Sequence, residues 1–192
     1  MKIQFPIFLF LVFAIVPSGF SEDKTAPPLV FKTLSGKDTT PLKSENGKPV
    51  VVAFITTDCP IANGYAPELN RIVAEYSKKD VKVTLVHVDP DLTLADAKIH
   101  TDEYALKADI VLDPTQKLVA ATEATITPEA VVYSAGGKQI YRGRINNQYS
   151  DLGDRRNTVS DHTLRNAIDA ALAGKPMPKA NTPAVGCFIP EK

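Results

Sequence analysis

The run from Pro49 to Ile55 (PVVVAFI) constrains this chain more than any other segment. It is apolar and β-branched at successive positions, so both faces of the strand it forms must be buried. Such a strand belongs in the middle of a sheet that is itself covered on both sides. Gly47 before the run, and Thr56-Thr57-Asp58 after it, supply the polar punctuation that bounds it.

The chain after this strand alternates. Ile61, Tyr65, Leu69, Ile72, Val73 and Tyr76 recur at spacings of three and four and predict a helix with one buried face. Thr57 or Asp58 is the expected cap, and Pro60 suits the first turn, which places Cys59 at the helix start. Val81 to Val88 reads as a second strand ending in the turn Asp89-Pro90-Asp91, and residues 93–107 read as helical. Ile110 to Leu112 is a short strand stopped by Asp113-Pro114, followed by a short helix through Leu118 to Ala121. Thr127-Pro128 introduces Ala130 to Tyr133, which with Gln139 to Ile145 flanks a Gly-Gly turn and predicts a hairpin. Ser160 and Asp161 open a last helix with Leu164, Ile168, Ala171 and Leu172 on one face, ended by Gly174. Residues 22–48 read as an extended lead-in with an edge strand near Leu29 to Phe31, and the four prolines of residues 175–192 exclude regular structure there. Strand and helix in alternation imply an α/β fold of three layers with a mixed central sheet.

The 192 residues carry no net formal charge and no block of like charges, so nothing marks a nucleic-acid partner. The first residues are more telling. Lys2, the apolar run Phe5 to Val16, and Gly19 and Ser21 at the −3 and −1 positions predict a signal peptide over 1–21, with a mature start at Glu22. An uncleaved anchor is the alternative, but the run is shorter than the roughly 20 apolar residues a span requires. The expected location is the periplasm or beyond, with no stable membrane span after cleavage. In an oxidising compartment Cys59 and Cys187 read as a disulfide or a redox pair rather than two inert thiols.

The order of elements, the cysteine in Phe54-Ile55-Thr56-Thr57-Asp58-Cys59-Pro60 and the Ile126-Thr127-Pro128 loop together resemble the thioredoxin superfamily over residues 26–174. The spacing from Thr56 to Cys59 is similar to the redoxin branch, the alkyl hydroperoxide reductase/thiol-specific antioxidant proteins and their exported thiol-disulfide relatives. The resemblance implies a thioredoxin-like domain over 22–174, a cis-proline loop at Pro128, and thiol chemistry on protein disulfides or on peroxide. It also implies an external thiol reductant as partner and no cofactor. The chain departs from the pattern in three places. Ala62 stands where exported disulfide reductases have their second cysteine, Val52 stands where peroxiredoxins have a proline, and no arginine lies near Ile126. The missing proline and arginine favour thiol-disulfide exchange over peroxide reduction.

A cysteine at a helix N-terminus faces unpaired N–H groups and the positive end of the helix dipole, which favour the thiolate. Asp58 beside it works the other way. Thr56 is a candidate hydrogen-bond donor to the sulfur or to a bound oxidant, and Thr127 with Pro128 is the candidate backbone for holding a substrate cysteine. For Cys187 three readings stand open: resolving partner of Cys59, member of a static disulfide, or partner to another molecule. His87, at the end of the second core strand, reads mainly as a buried core histidine. Joined with Cys59 and Cys187 it would make a soft metal site, so a non-catalytic binding module or copper carrier is the alternative function. His100 and His162 are expected on helix surfaces. The polar stretch from Tyr141 to Tyr149 reads as a solvated loop edge, or as a device that steadies the tail or binds an anion. Asp89 and Asp91 read as turn residues, with a hard cation as the other option.

Overall fold

The computed structural model describes residues 28–177 and 179–190. The expected export signal, residues 1–21, lies outside them. The chain enters through the hairpin β1 (Phe31–Lys32) and β2 (Asp38–Thr39). There follow β3 (Val50–Ile55), α1 (Pro60–Gly64), α2 (Ala66–Tyr76), β4 (Lys82–His87), α3 (Leu94–Glu103), β5 (Asp109–Leu112) and α4 (Lys117–Thr122). The second half holds β6 (Ile126–Thr127), β7 (Glu129–Tyr133), β8 (Gln139–Gly143), the ribbon β9 (Tyr149–Asp151) with β10 (Asp154–Arg155), α5 (Thr163–Leu172), β11 (Asn181–Thr182) and β12 (Cys187–Phe188).

The central sheet has six strands in the order β11-β8-β7-β3-β4-β5. β3 lies near its middle, parallel to β4 and antiparallel to β7, as its two-sided apolar sequence requires. Successive side chains of a strand point to opposite faces, and β3 feeds two cores. Val51, Ala53 and Ile55 pack with Leu69, Ile72 and Tyr76 of α2 and with Leu164 and Ile168 of α5. Val52 and Phe54 pack with Val86, Val111, Val131 and Leu118 of α4. The result is the expected three-layer α/β architecture. Among the described residues no helix is long and apolar enough to cross a membrane.

Four expectations are corrected. The lead-in strand is not an edge of the main sheet: β1 and β2 form a separate antiparallel pair, and Thr33 bridges across to Val111. The first long helix is broken at Tyr65, which ends α1 and caps α2. Pro67 has no N–H to give to the carbonyl of Asn63, so the ladder cannot run through. The cap of α1 is Cys59 itself, not Thr57 or Asp58. Finally, the Pro-rich tail does form strands. β11 pairs parallel with β8, and β12 pairs antiparallel with β6. The four strand residues contain no proline, so the prolines flank the pairing rather than prevent it. Gly143 permits the β8–β11 contact, because a Cβ there would overlap the backbone of Thr182.

Candidate active site

Cys59 follows β3 and sits at the start of α1 with extended backbone, φ −88° and ψ 109°. Its side chain is fully buried. The Ala62 N–H donates to the sulfur over 3.4 Å, and the thiol donates to the carbonyl of Thr127 over 3.2 Å. The Thr127–Pro128 peptide bond is cis. The structure therefore places Cys59 directly against the prolyl loop. The helix behind Cys59 is only the short α1, so what the sulfur receives locally is one N–H rather than the field of a long helix.

Cys187 arrives from the other end of the chain. β12 lies along β6 with Cys187 opposite Thr127 and Phe188 opposite Ile126. The Thr127 hydroxyl donates to the Cys187 carbonyl at 3.4 Å, and the Ile189 N–H donates to the Thr125 carbonyl at 3.0 Å. Burial, a hydrogen bond with Cys59 and the charge of Cys59 push the Cys187 thiol up from 9.0 to about 11. The Cys187 thiol therefore keeps its proton at neutral pH. Both cysteines are free thiols here.

The tail is fastened on its N-terminal side. The Arg142 N–H donates to the Ala180 carbonyl over 2.8 Å, and the Arg144 N–H donates to the Thr182 hydroxyl over 3.3 Å. The buried Tyr141 hydroxyl lies 2.7 Å from that same threonine oxygen and 2.5 Å from the Arg144 carbonyl. Tyr141, Asn146 and Gln148 are buried, so the stretch 141–149 is not a solvated edge. It steadies the tail, the reading its polarity had left open.

Thr56 faces away from this pair. Its hydroxyl donates to the carboxylate of Asp89, which also accepts the Thr57 N–H at 3.3 Å. Burial opposes the charge on Asp89, but the polar contact with His87 and the hydrogen bonds from Thr56 and Thr57 hold its carboxyl below 3.8. His87 Nδ1 stands 3.5 Å from Asp89, a distance that makes the contact electrostatic more than a well-formed hydrogen bond. The ring of His87 meets that of His100 edge-on, with centroids 5.0 Å apart. His100 is buried, contrary to its expected surface position, and its Nε2 lies 2.9 Å from Asn63 Oδ1. Asn63 in turn donates to the Thr57 carbonyl at 2.8 Å. The network clamps the loop that delivers Cys59. His162 is exposed at the start of α5.

His87 is buried, as expected, but it serves this network. Among the described residues no group of three His, Cys, Asp or Glu side chains is arranged to hold a metal ion, so Cys59, Cys187 and His87 do not form the soft site of the carrier alternative. A cleft of about 640 Å³ opens beside the clamp, lined by Asp58, Asp91, Asp96, Glu103 and His100 among others, and neither cysteine lines it. Sequence reasoning missed Asn63, for which the sequence gives no signal, and Gly186, for which the signal was its place directly before the tail cysteine.

Fold and site together define a thioredoxin-like α/β protein with two thiols meeting at its prolyl loop. The chain belongs to the AhpC/TSA family, whose model matches residues 23–142. It is similar to the thiol-disulfide oxidoreductase ResA of Bacillus thuringiensis (strain Al Hakam), with 28% identity over 117 residues. That match takes in 61% of this chain and 66% of the relative, so the chain spans just under two thirds of the length of the curated relatives it matches. Among solved structures, an uncharacterized conserved protein from Geobacillus kaustophilus superposes with a TM-score of 0.72 at 27% identity, covering 88% of this chain and 91% of that one. A secreted Mycobacterium tuberculosis disulfide oxidoreductase homologous to E. coli DsbE shares the fold, with a TM-score of 0.54 and 21% identity over 74% of this chain and 95% of that one.

Proposed function

We propose that this chain is an exported thiol-disulfide oxidoreductase in which Cys59 is the attacking thiol and Cys187 the resolving one. The observation that carries the reading is the pairing of β12 with β6, which sets Cys187 across from Thr127 while Thr127 accepts the Cys59 thiol. The AhpC/TSA family and the similarity to ResA proteins support it. Cys59 loses its proton and attacks one sulfur of a substrate disulfide, forming a mixed disulfide and releasing the other substrate sulfur as thiolate, which takes up a proton. Cys187 then gives up its proton and attacks the Cys59 sulfur. A Cys59–Cys187 disulfide forms, and the second substrate thiol leaves. The substrate has gained two electrons and two protons, and the pair has lost them. An external dithiol returns the pair to its reduced form. Cys187 supplies the function that Ala62 leaves vacant at the usual position.

Disulfide rather than peroxide is the favoured substrate. The two arginines after the hairpin turn have other partners, Arg142 the carbonyls and carboxylate around Glu123 and Arg144 the carboxylate of Asp161 at 2.6 Å. Thr56 enters as a positioning residue through Asp89, and Thr127 and Pro128 as the surface on which substrate backbone lies. Residues 1–21 would direct export, with the mature chain starting at Glu22.

The test is trapping. Cys187→Ser should accumulate a mixed disulfide between Cys59 and a model protein disulfide, and Cys59→Ser should abolish reduction. Full turnover by Cys59→Ser, or no mixed disulfide in Cys187→Ser, would overturn the assignment.

A further inference from the structure

We infer that Gly186–Phe188 is a self-docked stand-in for substrate backbone that keeps the Cys59 site shut, so that an extended polypeptide disulfide reaches Cys59 only by displacing it. The inference rests on the proposed exchange at Cys59 and adds the event that must precede it.

Two things show that the site is shut. Cys59 is fully buried, and the backbone edge beside it, Ile126–Thr127, is already paired with the tail. An incoming disulfide must approach the sulfur along a line that continues the bond to be broken, and a backbone held by strand addition needs that same edge. The tail fills both places. Its fit is close at one residue in particular. A Cβ on Gly186 would overlap the Thr127 carbonyl oxygen and carbon, which are backbone atoms and cannot swing aside. Only glycine lets the strand lie this near.

The latch is also thin enough to open. β12 is two residues long, and Phe188 leaves 82% of its surface exposed. Around the strand the tail is held by partly buried Val185 and Ile189 on the two cores, by the Ile189 N–H on Thr125, and by the Gln116 side chain, which donates to the Pro190 carbonyl at 2.7 Å. The anchor at Thr182, by contrast, is buried and bonded to Tyr141. Residues 183–190 can therefore lift as a unit while the tether at 181–182 holds, which is local opening of a weakly held segment on a stable frame. The arrangement orders the chemistry. While the substrate occupies the edge, Cys187 is away and the mixed disulfide persists. When the tail returns, it takes the substrate's backbone position and brings Cys187 to the Cys59 sulfur in the same movement.

The experiment uses the full chain in a Cys187→Ser background, so that Cys59 is the one thiol read. Two rates are measured, with 5,5′-dithiobis(2-nitrobenzoate) and with a peptide disulfide. Adding Gly186→Ala should raise both rates at least tenfold, and Gln116→Ala should raise them by a smaller factor. Circular dichroism serves to confirm that each variant is folded. If Cys59 exchanges in the parent and neither change moves the rates beyond twofold, the latch is refuted while the thiol-exchange reading stands. If Cys59 exchanges with neither reagent in any variant, the reading itself fails and takes the latch with it.

Discussion

Oxidising the cysteine pair should stabilise the fold by an amount set by the loop it closes. A bond from Cys59 to Cys187 joins the turn after the central strand to the last strand of the tail, enclosing most of the domain. For a loop of that length the chain-entropy treatment gives about 5 kcal/mol at 25 °C, gained by restricting the unfolded chain. The reduced fold already holds Cys187 opposite Thr127, where Cys59 also bonds, so little backbone has to move to form the bond. At this chain size the figure corresponds to a rise in Tm of roughly 10–20 °C. Urea denaturation and calorimetry of the dithiol and disulfide forms would read it, with Cys187→Ser as the control that shows no oxidant-dependent shift. Coincident unfolding of the two forms, or earlier unfolding of the oxidised one, would refute the reasoning from strand register to bond formation.

Two further outcomes follow from the electrostatics. In Cys59→Ala the Cys187 thiol should titrate below about 11 and still above 9.0, because burial, the largest cause, remains while the hydrogen bond and charge of Cys59 are gone. Thiolate absorbance against pH measures this, and a midpoint left near 11 would contradict it; with Cys59 present, the stability tied to the raised value is complete below 9.0 and is lost as pH rises through about 11. Asp89→Asn should destabilise the fold by about 1.5–3 kcal/mol at neutral pH, the usual cost of removing an ionised hydrogen-bond acceptor. Because the folded carboxyl titrates below 3.8, that advantage is present above 3.8 and fades as pH falls through the lower folded value, so melts of the two proteins should converge in acid. A constant gap at all pH values would mean that the carboxylate charge is not what holds the Thr56–Thr57 loop.

What was legible in the sequence was what local pattern determines. The two-sided apolar run of β3 announced a covered sheet, and Cys59 and Pro128 marked the two walls of the site before any coordinates. The break at Tyr65 was hidden because apolar periodicity continues across it, although Pro67 was the physical cause in plain view. His100 looks like a surface residue because α3 shows no strong apolar face, and its burial comes from tertiary contact with His87 and Asn63. The tail was misread for a different reason. Proline content describes the segment as a whole, whereas pairing needs only Asn181–Thr182 and Cys187–Phe188, whose partners lie far away in sequence. That misreading also concealed the function of the polar stretch from Tyr141 to Tyr149, whose buried groups make sense only with the tail in place.

The central claim is that two distant cysteines meet at one prolyl loop and form a disulfide there, passing two electrons to the substrate. Its most direct test is a non-reducing peptide map of the monomer after oxidation with one equivalent of a disulfide reagent. The account predicts a single cross-linked species joining the peptide that contains Cys59 to the peptide that contains Cys187. Recovery of both peptides unlinked, or linked only between two molecules, would contradict it.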